Sequence, residues 1–557
     1  MATLRKAIED FIYPFLERVT DMVYKGGEDT VWHGVRVLDD DIKFTHGAMV
    51  NAAATLYVHY VKTGDERCDE VLKRIHYFIK IAASNVCKTW GKIAILRAFN
   101  ELYENGVMDR IDPEYIELVK DRTNYEDFFD KKTVELKNMA TNYFQVAMAC
   151  AGYREKFGWE CEGYAEKIKN KLVSVLEDKS VDGWMDDEIP YGRFDRYAFV
   201  LASEFAETAT AVGLDVPDTV KDNLRVAAEA MLFMANEGGD GITYGRSVAC
   251  HGDSTAPEVL SSAFAAGLIR EEERDLAIAY SIKVYEKVLD FWYNEEKGCF
   301  DVWWGGRAYN DYRPIDRILE TNVDMVNHLY MALKNFERAG VADVEPSFKL
   351  PTPDCWQIRE IKFIDRPGDV KKTIMMRRGD KLMLLPFVGL GTAWGRKSAY
   401  YPFPSMARVI EPSPESEQPF MLPEYTDERG VTYRPCQYFD KVDLVECEDG
   451  ADVVTEGYMS IAETNVPKKS DVRFKLSFSI KGENISMRAE VDKPMASAVM
   501  LTGASEGGAR VSAVGFDASE DVKSVGERDF RGIHGWIVDV KRHNVTNPKI
   551  LGYDMKI

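Results

Sequence analysis

The stretch "DGITYGRSVACHGDST", residues 240–255, follows one amphipathic segment and precedes another. It gathers a phenol (Tyr244), a guanidinium (Arg246) and an imidazole (His251) in a loop that Gly241, Gly245 and Gly252 make tight. Two stretches of the same kind lie elsewhere. "DGWMDDE" from 182 and "KGCFDVWW" from 297 each follow a long helical segment with a glycine turn and then aromatic and polar residues. The turn glycines Gly183, Gly241 and Gly298 recur at an almost constant interval, about the length of one helical hairpin with its connections. Such a period means stacked helical hairpins, with every loop of one phase on the same face.

Outward from these loops, apolar residues recur at three- and four-residue spacing from residue 1 to about 340, as in "AMVNAAATLYVHYV" and "YAFVLASEFAETATAVG". The pattern predicts about twelve helices, near 1–24, 46–63, 69–84, 87–105, 112–121, 131–156, 160–177, 194–212, 216–237, 254–268, 271–293 and 318–339. Paired into hairpins, they form either an open solenoid or a closed (α/α)6 toroid. Long polar and aromatic loops on one face favour the toroid, with a site at its mouth. After Pro351 the period becomes two, in "RFKLSFSI" and "ISMRAEV", joined by "KGEN" as a hairpin, and in "REIKFID", "KLMLLPFVGL" and "GWIVDVKRH". The expectation is a multidomain chain: a catalytic (α/α)6 toroid over 1–345, then an antiparallel β-sandwich over 355–557.

The chain has 557 residues and a formal net charge of −21, which argues against nucleic acid or an anionic membrane as partner. The opening "MATLRKAIEDFIYPFLERV" alternates charged and apolar residues, unlike a signal peptide, and no segment reaches the apolar length of a membrane span. A cytoplasmic protein with reduced thiols is expected, since its nine cysteines form no CxxC pair. The acidic runs "LDDDIKFTHG" and "WMDDE" lack the spacing of a calcium loop. No metal or cofactor is expected.

The loops supply the groups that β-elimination from a uronic acid needs: a donor to neutralise the C5 carboxylate, a base for the C5 proton and an acid for the leaving oxygen. "ATNYF" offers Asn142 and Tyr143; "PYGRFDRYAF" offers Tyr191, Arg193, Arg196 and Tyr197; the 240–255 loop offers Tyr244, Arg246 and His251. Trp184, Trp303 and Trp304 present faces on which sugar rings stack. Inverting hydrolysis would instead need two separated carboxyl groups, for which Asp187, Asp195 and Asp253 are eligible, together with Asp186 and Glu188. Each residue has a purely structural alternative: Asn142 as a helix cap, Tyr197 in the core, and Arg193 with Asp195 as a salt-bridged helix start.

"DGWMDDEIPYGRFDRYAF" and "YGRSVACHGDSTAPEVLSSAF" resemble the matching loops of a toroid-plus-sandwich family long left uncharacterised, some members of which are assigned as β-glucuronidases. The architecture also resembles that of alginate lyases and heparinase-type lyases. That resemblance implies Asn142 as carboxylate neutraliser, Tyr197 as acid and base, Arg193 or Arg196 as electrostatic helper and His251 as a second base. The chain departs from the pattern at Tyr143, where alginate lyases commonly carry a His, and at "ACHG", where the uncharacterised family has an aromatic residue and an Arg. The expected substrate is an imported uronate-containing oligosaccharide, attacked from its end. A non-catalytic sugar-binding scaffold and a single-toroid sugar isomerase remain as other readings.

Overall fold

A computed structural model describes residues 3–39, 44–85, 87–139, 141–179, 194–245, 247–303, 313–347, 349–366, 369–389, 403–406, 409, 420–461, 468–504, 509–525 and 538–557. Within these are twelve α-helices: α1 Leu4–Gly26, α2 Thr45–Thr63, α3 Cys68–Ser84, α4 Thr89–Glu104, α5 Pro113–Arg122, α6 Tyr143–Lys156, α7 Tyr164–Lys179, α8 Arg196–Ala211, α9 Asp218–Met234, α10 Cys250–Ala265, α11 Arg274–Lys287 and α12 Ile318–Arg338. The even-numbered helices contact one another in sequence, and α12 returns to α2, so they close an inner ring with the odd-numbered helices outside. An open solenoid is ruled out by that closure.

Two sequence properties decide which helices go inside. The inner ones are buried nearly all round, and α2 buries Ala52, Ala53 and Ala54 together with Leu56 and Val58. An outer helix such as α3 buries one stripe, Val71, Ile75, Phe78 and Ile79, together with Arg74, which is paired with Glu17 and Glu70, and turns its other charges outward. Glycine brings the inner helices close: a Cβ on Gly47 of α2 would lie 2.1 Å from the Gly91 carbonyl oxygen of α4. Because each inner helix follows an outer one, all six run the same way, and their N-termini share one mouth.

Two boundaries that bear on the site differ from the expected ones. Helix α6 starts at Tyr143 rather than near 131, because Phe129–Asp130 and Glu135–Leu136 pair as a short hairpin. Helix α10 starts at Cys250 rather than 254, following an Ala249 held at φ +66°.

The last helix ends at Arg338, and the first long strand is Gln357–Arg366. A four-stranded antiparallel sheet runs in the order Ser405–Met406, Lys381–Phe387, Asp369–Arg378, Gln357–Arg366. It packs on a larger curled sheet through Phe387, whose ring centroid lies 5.5 Å from that of Phe439 and 6.0 Å from that of Phe478. Lys468–Lys481 alternates buried and open positions, and it turns into Asn484–Val491 through the Lys481–Asn484 pair, as "KGEN" predicts. The smaller sheet meets the mouth of the ring. Phe194 stacks on Phe363 at 4.4 Å, Thr243 Oγ1 lies 2.6 Å from Ser405 Oγ, and Arg377 donates to the Ala235 carbonyl at 2.9 Å. No described helix is long and apolar enough to cross a membrane.

Candidate active site

The 240–255 loop folds back on the first turn of α10. The Ile242 amide donates to the Gly252 carbonyl at 3.0 Å, and the Gly241 amide donates to Asp253 Oδ1 at 2.8 Å. A Cβ on Gly252 would fall 2.1 Å from the Ile242 oxygen, and one on Gly245, at φ +92°, would fall 2.3 Å from Asp195 Cβ. The glycines are therefore there for close approach of chain to chain. Asp253 belongs to this scaffold: its Oδ2 takes Lys287 Nζ at 2.8 Å and the Trp292 indole N–H at 2.7 Å. Asp195 caps α8 by accepting the Tyr197 amide at 3.1 Å.

Tyr244 points away from the ring. It is fully buried, and its hydroxyl lies 3.0 Å from Thr373 Oγ1 of the small sheet, so the expected substrate contact is replaced by an anchor between ring and sandwich. Arg196 is likewise internal. Its Nη2 reaches both Glu258 carboxylate oxygens at 2.6 Å, and its Nε donates to the His251 carbonyl at 2.8 Å. This pairing locks α8 to α10, and with the side chain almost fully buried it keeps the guanidinium from a substrate at the mouth. Trp303 is half-buried, and its indole N–H donates to the Arg313 carbonyl at 2.7 Å. Trp184, Asp187, Tyr191, Arg193, Arg246 and Trp304 lie outside the described residues, as do Asp186 and Glu188.

Tyr197, Asn142, Tyr143 and His251 stand at the mouth end of the inner helices. Tyr197, on the first turn of α8, places its hydroxyl 3.2 Å from Ser247 Oγ. Ser247, held at φ +50°, also accepts Arg313 Nε at 3.4 Å. Arg313 continues to Asp324 Oδ2 at 3.0 Å and Glu320 Oε1 at 3.4 Å, and Arg317 meets the other Glu320 oxygen at 3.0 Å. Asn142 stands at the same end of α6 with a buried Oδ1 that has no hydrogen-bond partner among the described residues, and Tyr143 begins that helix. His251 is in the first turn of α10, with no exposed surface, and its Nε2 faces Asp324 Oδ2 at 3.5 Å. Burial, aided by Arg313, pushes its imidazole down to about 3, so it is neutral. It lies behind Asp324 instead of in the open loop that the sequence suggested.

Beneath this layer, His328 Nδ1 lies 3.1 Å from Glu258 Oε2 and its Nε2 lies 3.4 Å from Asp324 Oδ1. Against the cost of burial, Glu258 and Asp324 raise this imidazole to about 10. Despite burial, Arg196 and His328 bring Glu258 down to about 2, and His328 and Arg313 hold Asp324 well below the usual carboxylate range. Deeper still, a cavity of about 30 Å³ is lined by Glu204, Glu207, Glu258, Arg97 and His328. Burial raises Glu204 there to about 7, while its Oε2 accepts the Gln145 amide at 3.1 Å.

Sequence reasoning passed over Ser247, Glu258, Arg313, Asp324 and His328. One signal was available: in "DMVNH" an Asp and a His stand four apart, which puts both on one face of a helix. Among the described residues, ligand-type atoms of His251, Asp324 and His328 all lie within 4.8 Å of one another.

No protein-family model matches the chain, and no curated protein matches it. Among solved structures, it is similar to heparinase III at 11% identity and TM-score 0.43, covering 92% of this chain and 76% of that one. Chondroitinase AC lyase shows 10% identity and TM-score 0.42, with coverage of 98% and 80%. A glycosyl hydrolase family 88 protein from Bacteroides vulgatus shows 8% identity and TM-score 0.38, with coverage of 61% and 100%. Likeness at this level carries no functional weight, and the fold stands on the closed ring and the paired sheets themselves.

Proposed function

We propose that this protein is an enzyme that cleaves uronate-containing oligosaccharides by β-elimination at the mouth of the ring. The observation that carries the reading is the Tyr197 hydroxyl, only partly buried on the first turn of an inner helix and oriented by Ser247 Oγ at 3.2 Å. As the phenolate, a side chain so placed can take the C5 proton, and the phenol that results can give that proton to the leaving oxygen when both lie on the same side of the sugar. Asn142 is the partner at the neighbouring helix end, its amide supplying a donor to the carboxylate as charge moves into it. The six inner N-termini add positive potential at the same mouth, which suits an anionic sugar in a chain that is acidic overall. His251 is left out of proton transfer, because a fully buried imidazole facing Asp324 does not meet a substrate at the mouth.

Hydrolysis by a carboxylate pair would draw on Glu204, whose carboxyl is raised by burial to about 7, as suits a general acid. Its cavity of about 30 Å³ has room for a water but not for a sugar ring. Asp195 and Asp253 are engaged in holding α8 and the 240–255 loop. The deciding experiment is incubation with uronate oligosaccharides followed in the ultraviolet. Elimination yields a conjugated unsaturated uronate that absorbs there, and hydrolysis yields reducing ends without that absorbance. New reducing ends with no ultraviolet gain would refute the elimination.

A further inference from the structure

We propose that His251, Asp324 and His328 form a binding site for one divalent first-row transition metal, of the class of Zn²⁺, Mn²⁺ or Co²⁺. The site draws on two inner helices: His251 from the first turn of α10, and Asp324 with His328 one turn apart on α12. His251 Nε2 stands 3.5 Å from Asp324 Oδ2, and His328 Nε2 stands 3.4 Å from Asp324 Oδ1. Metal–ligand bonds of about 2.1 Å at tetrahedral angles put neighbouring ligand atoms about 3.4 Å apart; each imidazole stands about that far from the Asp324 oxygen it faces, the two facing different oxygens, and one ligand atom from each residue lies within 4.8 Å of the others. Direct charge-assisted hydrogen bonds would draw the groups to about 2.8 Å. Among the described residues, the fully buried His251 Nε2 makes no hydrogen bond of good geometry and has only the Asp324 carboxylate before it at 3.5 Å, an arrangement that is costly unless something fills that space.

The surroundings fit the same reading. His328 Nδ1 faces Glu258 at 3.1 Å, so a proton held there leaves Nε2 to turn its lone pair to the ion, the carboxylate–histidine pairing that orients metal ligands. Glu258 is itself fixed by Arg196 and by the Ser254 hydroxyl at 2.5 Å. Arg313 holds Asp324 from its outer side at 3.0 Å, and a carboxylate oxygen retains a second lone pair for an ion. Binding displaces the proton on His328 Nε2 to solvent, while the Nδ1 proton stays with Glu258. Two imidazoles and one carboxylate suit a first-row transition ion over Ca²⁺, which takes all-oxygen sets. Access exists, because the Asp324 side chain is 29% exposed and that of His328 is 18% exposed.

The test uses the full-length protein, stripped with a chelator, dialysed into metal-free buffer, and titrated separately with ZnCl₂, MnCl₂ and CoCl₂ in a calorimeter. We expect saturation at one ion per chain, and visible d–d bands for the Co²⁺ complex stronger than those of the hydrated ion. Asp324→Asn and His251→Gln should each weaken binding by at least about tenfold. Absence of saturable binding of any of the three ions by the wild-type protein overturns the proposal, as does unchanged affinity in both variants. If a variant does not fold, the wild-type Co²⁺ spectrum decides alone, and a spectrum identical to that of the hydrated ion counts against the site. No substrate enters these measurements, so a failed elimination assay leaves the metal site standing, and a working lyase that binds no ion refutes only the metal site.

Discussion

The Tyr197 hydroxyl and the Arg313 guanidinium meet at one atom, Ser247 Oγ, at 3.2 Å and 3.4 Å. Tyr197 comes from the start of α8, and Arg313 from the approach to α12 on the far side of α10. The shared serine aims the phenol into the mouth while the arginine stays bound to Glu320 and Asp324. Tyr197→Phe keeps the ring and its packing against Arg196 but removes the reacting oxygen. Its kcat should fall by about 10²–10⁴ with little change in KM or Tm. Ser247→Ala should produce a smaller fall, because it loosens the orientation and leaves the hydroxyl. Steady-state kinetics on a uronate oligosaccharide, with circular dichroism to confirm folding, checks both. Near-full activity in Tyr197→Phe would remove it from proton transfer.

Asp253→Asn separates scaffold from chemistry. The substitution takes a carboxylate from Lys287, which keeps Asp240 at 2.7 Å, so the buried ammonium remains partly paired. We expect a loss of about 1–3 kcal/mol in chemical denaturation, with activity per folded molecule nearly intact. A variant with unchanged stability and activity reduced by orders of magnitude would return Asp253 to the candidate hydrolytic carboxylates.

Glu204 makes stability depend on pH in a defined direction. Its carboxyl is raised from 4.5 to about 7 by burial, so between those values the folded chain holds a proton that the unfolded chain has released. Stability therefore falls as pH rises through that window, by about 1.4 kcal/mol per pH unit and roughly 3 kcal/mol across it. Glu204→Gln cannot ionise, and its amide can still bond Gln145. Its Tm should exceed that of the wild type at about pH 8 and differ little at about pH 4. Parallel Tm profiles for the two proteins would show that Glu204 ionises normally in the fold.

Gly245→Ala probes the loop that carries Ser247. The added Cβ would meet Asp195 Cβ at 2.3 Å, and the backbone sits at φ +92°, where an L side chain is strained. A Tm decrease equivalent to more than about 1 kcal/mol is expected, with a loss of activity as the Asp195 cap and the Ser247 contact shift together. Wild-type stability and rate would mean that the loop does not need this close approach.

The loops before α6, α8 and α10 pointed to the end of the ring where the candidate site lies, because a repeat of helical hairpins puts loops of one phase at one end. Asn142, Tyr197 and His251 all stand there. What those loops did not disclose was which way each side chain turns. Tyr244 and His251 lie a few residues apart, yet one anchors the sandwich at Thr373 and the other faces Asp324 inside the ring. The difference comes from Ser247 and Ala249, whose positive φ angles turn the chain before α10 begins, and nothing in the local composition marks either residue for that conformation. By sequence Arg196 is a substrate-binding candidate, whereas in the fold its charge is taken up by Glu258.

The sequence by itself determined the two periods, the near-constant interval of the turn glycines, and hence twelve helices before a β-rich half. These follow from hydrogen bonding and burial within a dozen residues, where spacing is enough. Only the tertiary structure decided that α12 returns to α2, that Arg196 is neutralised by Glu258, and that His251 joins Asp324 and His328. Helical spacing tells which face of a helix is buried. It does not tell which other helix that face will meet, because the charge or ligand waiting there comes from a distant part of the chain and arrives only when the ring closes.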